Sequence, residues 1–261
     1  LRTLSALVTL CAGLLCTGSP LQAQDCGGSS PLRIFASTQD AAGQTTVWEV
    51  DVLSGTFQQV LQTGDPLTSG TYEPERDRLY FGSQGGGIYR FAPDGGGYEE
   101  VLPSGQGPLG AEAPVFDASG DLYFNTGFGM DGVWALSPPD PGGTAYPVLP
   151  QLSVDFSVGL GIGTDGASDG GLLVVDCFGD YAGIPPGVFL SSPPGSGASR
   201  LIDHPGTQFF WDMAVRGNGN ILLSEPADGR LSEFDGDGNF LGAFASGIAF
   251  PLHVEANPTD D

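Results

Sequence analysis

Short apolar runs recur along the chain and are separated by turns rich in glycine, proline and aspartate. Five of the runs share a shape and begin about 43 to 50 residues apart. These runs are Arg33–Ser37, Leu79–Phe81, Leu122–Phe124, Leu172–Val175 and Ile221–Ser224. No segment between them has an apolar period of 3.6 residues, so the pattern predicts β-strands rather than helices.

Each run is accompanied by further strand-like runs at similar distances. A second run follows a polar or glycine-rich turn in every repeat: Val47–Val50, Ile88–Phe91, Val133–Leu136, Val188–Leu190 and Leu231–Phe234. A third run follows in several repeats, as in Tyr98–Leu102, Tyr146–Leu149 and Phe240–Phe244, and one more precedes the first run: Thr71–Glu73, Ala113–Asp117, Val158–Ile162 and Met213–Val215. Four strands in about 45 residues is the period of propeller blades. The sequence therefore predicts an all-β fold, a β-propeller of four-stranded blades.

The two ends of the repeat pattern complement each other. The first repeat, near Arg33, lacks the strand that precedes the other four, and 248–257 resembles that strand with no repeat after it. Joining the ends would complete a fifth blade and protect its edge. We therefore predict five blades closed by a C-terminal strand. The alternative is a truncated six-bladed propeller.

The first residues have the features of a secretory signal peptide. Arg2 is followed by the apolar run Leu4–Leu15 and then by small and polar residues up to Ala23. We expect 1–23 to be the signal peptide and 24–261 a single propeller domain, secreted or periplasmic, with no membrane span in the mature chain. The mature chain keeps Cys26 and Cys177, which would form one disulfide in an exported protein or remain two thiols.

The charge of the chain is strongly negative. It has 31 Asp and Glu residues against 8 arginines and no lysine, with a formal net charge of -23. Such a surface repels phosphate backbones and anionic lipids, which excludes nucleic acid and anionic membranes as expected partners. The acidity fits a soluble extracellular protein or an affinity for calcium.

Two stretches carry a resemblance to known families. Asp212–Ser224 resembles the strand–turn–strand signature of NHL repeats, and Glu112–Asp117 with Gly120–Phe124 is similar to the opening blade motif of gluconolactonase-like propellers. The resemblance supports the fold more than an activity. Those families usually have six blades, whereas this chain shows five.

Polar residues at the predicted strand ends are candidates for a metal site. In an antiparallel pair, the start of the first strand and the end of the second lie at the same end of the blade. Oxygens that converge there suit calcium, and the resemblance implies a metal that polarises a lactone carbonyl. Glu112 matches the family motif, and the other candidates match by strand position. The candidate ligands are Glu112, Asn125, Asp176 and Asp212.

Three functions stay open on the sequence. The first is a binding or scaffolding propeller, expected to be a monomer, which presents one face to a protein, glycan or small molecule. The second is a calcium-dependent hydrolase of small lactones or esters. The third is a lyase in which His253, in the proposed closing strand, acts as acid or base. No Gly-x-Ser-x-Gly nucleophile elbow occurs in the chain.

Overall fold

The computed structural model describes residues 34–40, 42–51, 56–73, 75–106, 110–126, 132–149, 159–177, 185–204, 207, 209–248 and 254. These residues form nineteen strands in five antiparallel sheets. Sheet 1 contains β1 (Ile34–Gln39), β2 (Thr45–Asp51) and β3 (Thr56–Thr63), and sheet 2 contains β4 (Leu67–Glu73), β5 (Arg78–Ser83), β6 (Ile88–Phe91) and β7 (Glu99–Leu102). Sheet 3 contains β8 (Glu112–Phe116), β9 (Leu122–Asn125), β10 (Val133–Ser137) and β11 (Thr144–Pro147), and sheet 4 contains β12 (Leu160–Ile162), β13 (Leu172–Asp176), β14 (Gly187–Ser191) and β15 (Ser199–Asp203). Sheet 5 contains β16 (Met213–Val215), β17 (Ile221–Glu225), β18 (Arg230–Phe234) and β19 (Phe240–Ser246).

The strands of each sheet pair in chain order, which confirms the predicted repeat. The five runs that defined the repeat are β1, β5, β9, β13 and β17. In sheets 2 to 5 one further strand precedes the strand that defined the repeat. These first strands contact one another in succession: β4 contacts β8, β8 contacts β12 and β12 contacts β16. The all-β prediction is confirmed, and the described part contains no helix beyond one 3-10 turn at Gly166–Ser168.

The first strand of sheet 2 is longer than predicted. The sequence predicted Thr71–Glu73, but β4 begins at Leu67, with an irregularity in its pairing with β5 between Leu67 and Gly70. Gly70 lies so close to the ring of Phe81 that a Cβ would be 2.7 Å from it. Because residue 70 is a glycine, the backbone can approach the aromatic ring and the strand can extend to Leu67. Glycine has a low strand propensity, so the sequence did not indicate this extension.

The hydrophobic cores lie in the seams between neighbouring sheets. One cluster between sheets 4 and 5 joins Val175 and Val188 to Phe210, Leu223 and Phe234, and other clusters fill the seams between sheets 1 and 2, 2 and 3, and 3 and 4. The second strands β13 and β17 are buried along their whole length. The two faces of β13 meet sheets 3 and 5, whereas β17 packs between sheet 4 and the segment at Val254. Each sheet therefore depends on its neighbours for its core.

The turn between the third and fourth strands of a sheet also packs on the preceding sheet. Gly95, in the β6–β7 turn, has a φ of +83° and lies against the carbonyl oxygen of Val60 in β3. Gly238, in the β18–β19 turn, is placed in the same way against the carbonyl of Leu201 in β15. In sheet 3, Asp140 of the corresponding turn forms an ion pair with Arg90 of β6. In sheets 2, 3 and 5 the turn thus ties the sheet to the one before it.

The predicted closing strand is described at only two residues. Sheet 1 has three strands in the described part, and of 248–256 only Ile248 and Val254 are described. Val254 is buried against Ala214 and Leu222, on the face of sheet 5 that is turned away from sheet 4. These contacts agree with closure by this segment, which stays a prediction.

The turn contact gives a direct test of the docking between sheets. Gly95→Ala should destabilise the protein by about 2 kcal/mol or more, because a Cβ there would lie 2.1 Å from the Val60 carbonyl oxygen. Gly97→Ala, in the same turn, is the matched control. Gly97 also has a positive φ, +64°, but its Cβ would meet no atom within 4 Å, so only the backbone penalty of about 1 kcal/mol applies.

Urea denaturation of both variants measures the difference in unfolding free energy. Equal losses for Gly95→Ala and Gly97→Ala would show that the turn does not dock on β3.

Candidate functional site

The four predicted metal ligands lie at one end of the molecule. We call this end the mouth: it is where the first strands of the sheets begin and the second strands end. Glu112 begins β8, Asn125 ends β9, Asp176 ends β13 and Asp212 directly precedes β16, and each is at most 9% exposed. They lie at strand ends, as predicted. The contacts of each side chain determine whether it is available to bind a metal ion.

Glu112 and Asn125 face each other across one pair of strands. They are partners in the register between β8 and β9, and the pairing becomes irregular directly after them. The next residue, Ala113, has a φ of +44°, and its N–H donates to the hydroxyl of Ser69 in the neighbouring sheet at 2.6 Å. The unusual backbone therefore links sheets 2 and 3 beside this pair of polar side chains.

Asp176 forms an ion pair with an arginine of its own sheet. Arg200 Nη1 lies 2.8 Å from Asp176 Oδ2, and Arg200 Nε lies 2.5 Å from Asp203 Oδ1. The same guanidinium lies 5.0 Å above the ring of Phe189 and donates to the carbonyl of Pro185. The ion pair stabilises the buried carboxylate of Asp176, with a guanidinium that it shares with Asp203.

Both carboxylate oxygens of Asp212 accept backbone hydrogen bonds. Oδ1 accepts from the N–H of Met213 at 2.8 Å, and Oδ2 accepts from the N–H of Val254 at 3.3 Å. The contact with Val254 resembles the one between Ala113 and Ser69, in which a backbone N–H of β8 donates to a side chain of the neighbouring sheet. Asp212 therefore connects the segment at Val254 to the start of β16.

A fourth buried carboxylate lies at the mouth, at a strand end that the sequence predicts, although it is not one of the four predicted ligands. Glu225, the last residue of β17, is fully buried, accepts from the hydroxyl of Ser232 and forms a 2.7 Å ion pair with Arg230. Arg230 also lies 3.2 Å from His204 Nε2, whose ring packs against Phe234. Glu225 and Arg230 are register partners across a tight turn, so their spacing along the chain could have indicated the pair.

The described residues contain no group of three His, Cys, Asp or Glu side chains placed to hold a metal ion. The three predicted carboxylates instead lie on separate sheets, and two of them have the protein partners given above. Calcium binding therefore stays a prediction that rests on the resemblance and on the pair formed by Glu112 and Asn125.

Two other predicted features fall outside the described residues. His253 is not described, so the lyase hypothesis has no structural test. Cys26 is not described either, whereas Cys177 is buried in the seam between sheets 4 and 5 with its Sγ 3.8 Å from the Trp211 carbonyl oxygen. The disulfide between them stays a prediction.

The opposite end of the molecule is rich in acidic turns. We call it the turn face: it carries the turns from first to second and from third to fourth strands. Its acidic residues are Glu75, Asp77, Asp94, Asp117, Asp121, Asp140, Asp165, Asp169, Asp235 and Asp237. Several of them shape the turns, because their carboxylates accept backbone N–H groups two and four residues ahead, as Asp117 and Asp235 do. Hydrogen bonds from Asn239 lower the pKa of Asp235 and keep it charged.

Comparison with known proteins tests the architecture. Neither a protein-family model nor a curated protein matches the sequence. Among solved structures, a chain of a nidogen/laminin complex matches with a TM-score of 0.68 and 12% identity, over 85% of this chain and 81% of that one. Virginiamycin B lyase from Staphylococcus aureus matches with a TM-score of 0.59 and 12% identity, over 85% of this chain and 71% of that one.

A provisionally assigned gluconolactonase matches with a TM-score of 0.59 and 15% identity, over 82% of this chain and 75% of that one. The five successive sheets and these matches decide the architecture. The chain folds as a five-bladed β-propeller. At such identities the likeness shows the fold alone, so the activities of these proteins do not transfer with it.

The calcium hypothesis has a direct test in the thermal stability of the protein. If calcium binds only the folded state, the melting temperature should rise with the logarithm of free calcium, and Glu112→Gln should remove that rise. Asp169→Asn is the control, since it removes an equal charge from the exposed turn face. A melting temperature that ignores calcium, or an equal response in both variants, would end the calcium hypothesis.

Proposed function

We propose that this propeller is an exported binding module whose acidic turn face docks a positively charged surface of a partner protein. The proposal rests on the observation that most of the few positive side chains pair with carboxylates of the same chain. Five of the six arginines in the described residues form ion pairs with carboxylates of the same chain: Arg76, Arg90, Arg200, Arg216 and Arg230.

The internal ion pairs of the arginines compensate only a part of the negative charge, and on the turn face Asp140 is paired with Arg90. The chain carries a formal charge of -23, and ten acidic side chains lie on the turn face. A one-sign surface attracts partners of the opposite charge, accelerates their association and rejects partners of like charge. A basic protein surface fits this field, whereas nucleic acids and anionic membranes do not.

The geometry of the mouth favours binding over catalysis as well. Asp176, Asp212 and Glu225 are buried and held by an arginine or by backbone N–H groups, which is what structural polar groups require. Their engagement supports a scaffold in which buried charges stabilise strand ends. Among the similar folds, one belongs to a protein complex, and that setting agrees with the proposal.

Two enzyme functions are weaker candidates. The calcium-dependent hydrolase keeps one favourable observation, the buried Glu112 directly opposite Asn125 at the mouth. The lyase function depends on His253, which is not described. No helix in the described part is long and apolar enough to span a bilayer, and export rests on the predicted signal peptide.

Binding of a cationic probe tests the proposal. A fluorescent peptide of alternating arginine and serine should bind the protein at low ionic strength, with an affinity that falls as salt is added, because screening shortens the reach of surface charges. An equally long peptide of alternating glutamate and serine should not bind. Fluorescence anisotropy measures both affinities.

Matched charge variants locate the binding face. Asp165→Asn with Asp169→Asn removes two exposed charges from the turn face and should weaken peptide binding by about three- to tenfold. Asp40→Asn with Asp228→Asn removes two charges at the mouth end and should change it less than twofold. Equal effects of the two pairs, or no binding of the cationic peptide, would contradict the proposal.

A further inference from the structure

A row of polar side chains crosses sheet 2 on the side that faces sheet 3. Thr71 pairs with Tyr80, Tyr80 with Arg90 and Arg90 with Glu99, so the four residues lie side by side on one face of the sheet. Glu73 lies two residues beyond Thr71 and therefore projects to the same face. The seam at this point is polar on one side and hydrophobic on the other, where Phe116 meets the Tyr80 ring edge-on at 4.9 Å.

Two buried atoms of this row have no hydrogen-bond partner among the described residues. The hydroxyl of Tyr80 is one, in a side chain that is 0% exposed, and Oε2 of Glu73 is the other, in a residue that is 7% exposed. A buried polar group without a partner is costly and is rare in native proteins. Two in one seam point to an occupant that supplies the missing hydrogen bonds.

The neighbouring arginines do not supply them. Arg90 is committed to Glu99 Oε1 at 2.6 Å, to Asp140 and to the Pro139 carbonyl oxygen at 3.2 Å. Arg76 lies 3.5 Å from the other oxygen of Glu73, Oε1. Burial raises the pKa of Tyr80, and the donor groups of Arg90 and Arg76 beside its hydroxyl oppose that rise. A guanidinium group can only donate, so neither arginine can accept the proton of the Tyr80 hydroxyl.

The chemistry of the site restricts its occupant. An anion would be repelled by the Glu73 carboxylate, and a cation would enter beside two guanidinium groups. The carboxylate oxygen can only accept a hydrogen bond, whereas the phenol can donate one. A neutral group that both donates and accepts satisfies the two atoms together, and a hydroxyl group is the smallest that does so.

We propose that the seam between sheets 2 and 3 holds one hydroxyl group, which donates to Glu73 Oε2 and accepts from the Tyr80 hydroxyl. A saccharide or an ordered water can supply this group. Arg76, whose side chain is 43% exposed and contacts Glu73 Oε1, is the side chain that a saccharide entering from solvent would displace. The site adjoins the turn face, because Arg76 lies in the β4–β5 turn and Arg90 pairs with Asp140. It does not depend on the function proposed above.

A double-mutant cycle tests whether one group bridges the two side chains. Tyr80→Phe, Glu73→Gln and the double variant are compared by their folding equilibrium constants in urea. A shared hydroxyl should make the effects non-additive by about three- to tenfold, because each single change already disrupts the same bridge. Additive effects, within a factor of two, would overturn the proposal.

The chain offers a matched control for Tyr80. Tyr123 occupies the same place in the Leu-Tyr-Phe run of sheet 3, but its hydroxyl already has a partner, Asp117 Oδ2 at 3.3 Å. Tyr123→Phe combined with Glu73→Gln should therefore be additive. Coupling of the same size in this pair would also count against a local bridge.

Thermal unfolding in graded glucose, galactose and mannose identifies the source of the hydroxyl. A saccharide at the site should give a saturating rise in melting temperature that Tyr80→Phe abolishes and Tyr123→Phe preserves. Equal, non-saturating rises in the unmodified protein, Tyr80→Phe and Tyr123→Phe would reflect a general effect of the sugar on the solvent. If the double-mutant cycle nevertheless shows coupling between Tyr80 and Glu73, the hydroxyl belongs to an ordered water.

Discussion

Burial of sheet faces against the neighbouring sheets is the constraint on which the rest of this structure depends. A single sheet of three or four short strands has too little core to be stable alone, so its apolar faces need the adjacent sheets. This explains why β13 and β17 are buried throughout and why a turn of one sheet packs on the outer strand of the previous one. The same burial makes an unpartnered polar group near a seam costly, and the ion pairs of Asp176 with Arg200 and of Glu225 with Arg230 avoid that cost.

The consequence for function is a division between the buried and the exposed charges. At the mouth, Asp176, Asp212 and Glu225 form ion pairs or accept backbone hydrogen bonds, which stabilise the strand ends. Carboxylates with such partners are less available for catalysis. On the turn face, aspartates serve local turn geometry, yet their charges remain in solvent and add to one negative field. One requirement of the fold, tight turns between short strands, therefore also supplies the surface that we propose to bind a basic partner.

The repeat could be predicted from the sequence because strand runs and their turns are local features. Leu79–Phe81 and Leu122–Phe124 mark equivalent strands β5 and β9, and the structure places both as predicted. The partners of these residues could not be predicted, because they come from distant segments. Tyr80 and Tyr123 stand in the same three-residue run, but only Tyr123 finds a carboxylate for its hydroxyl. Likewise, nothing in the sequence near Asp176 indicates Arg200, which lies 24 residues further along the chain.

Native-state hydrogen exchange measures the mutual dependence of the sheets most directly. If each sheet relies on its neighbours for its core, the amides of the central strands β5, β9, β13 and β17 should exchange through one common opening with the same free energy, equal to that of global unfolding. Progressive urea should then lower the protection of all four strands together. Separate free energies for the four strands, with one sheet opening while the others stay protected, would contradict the account.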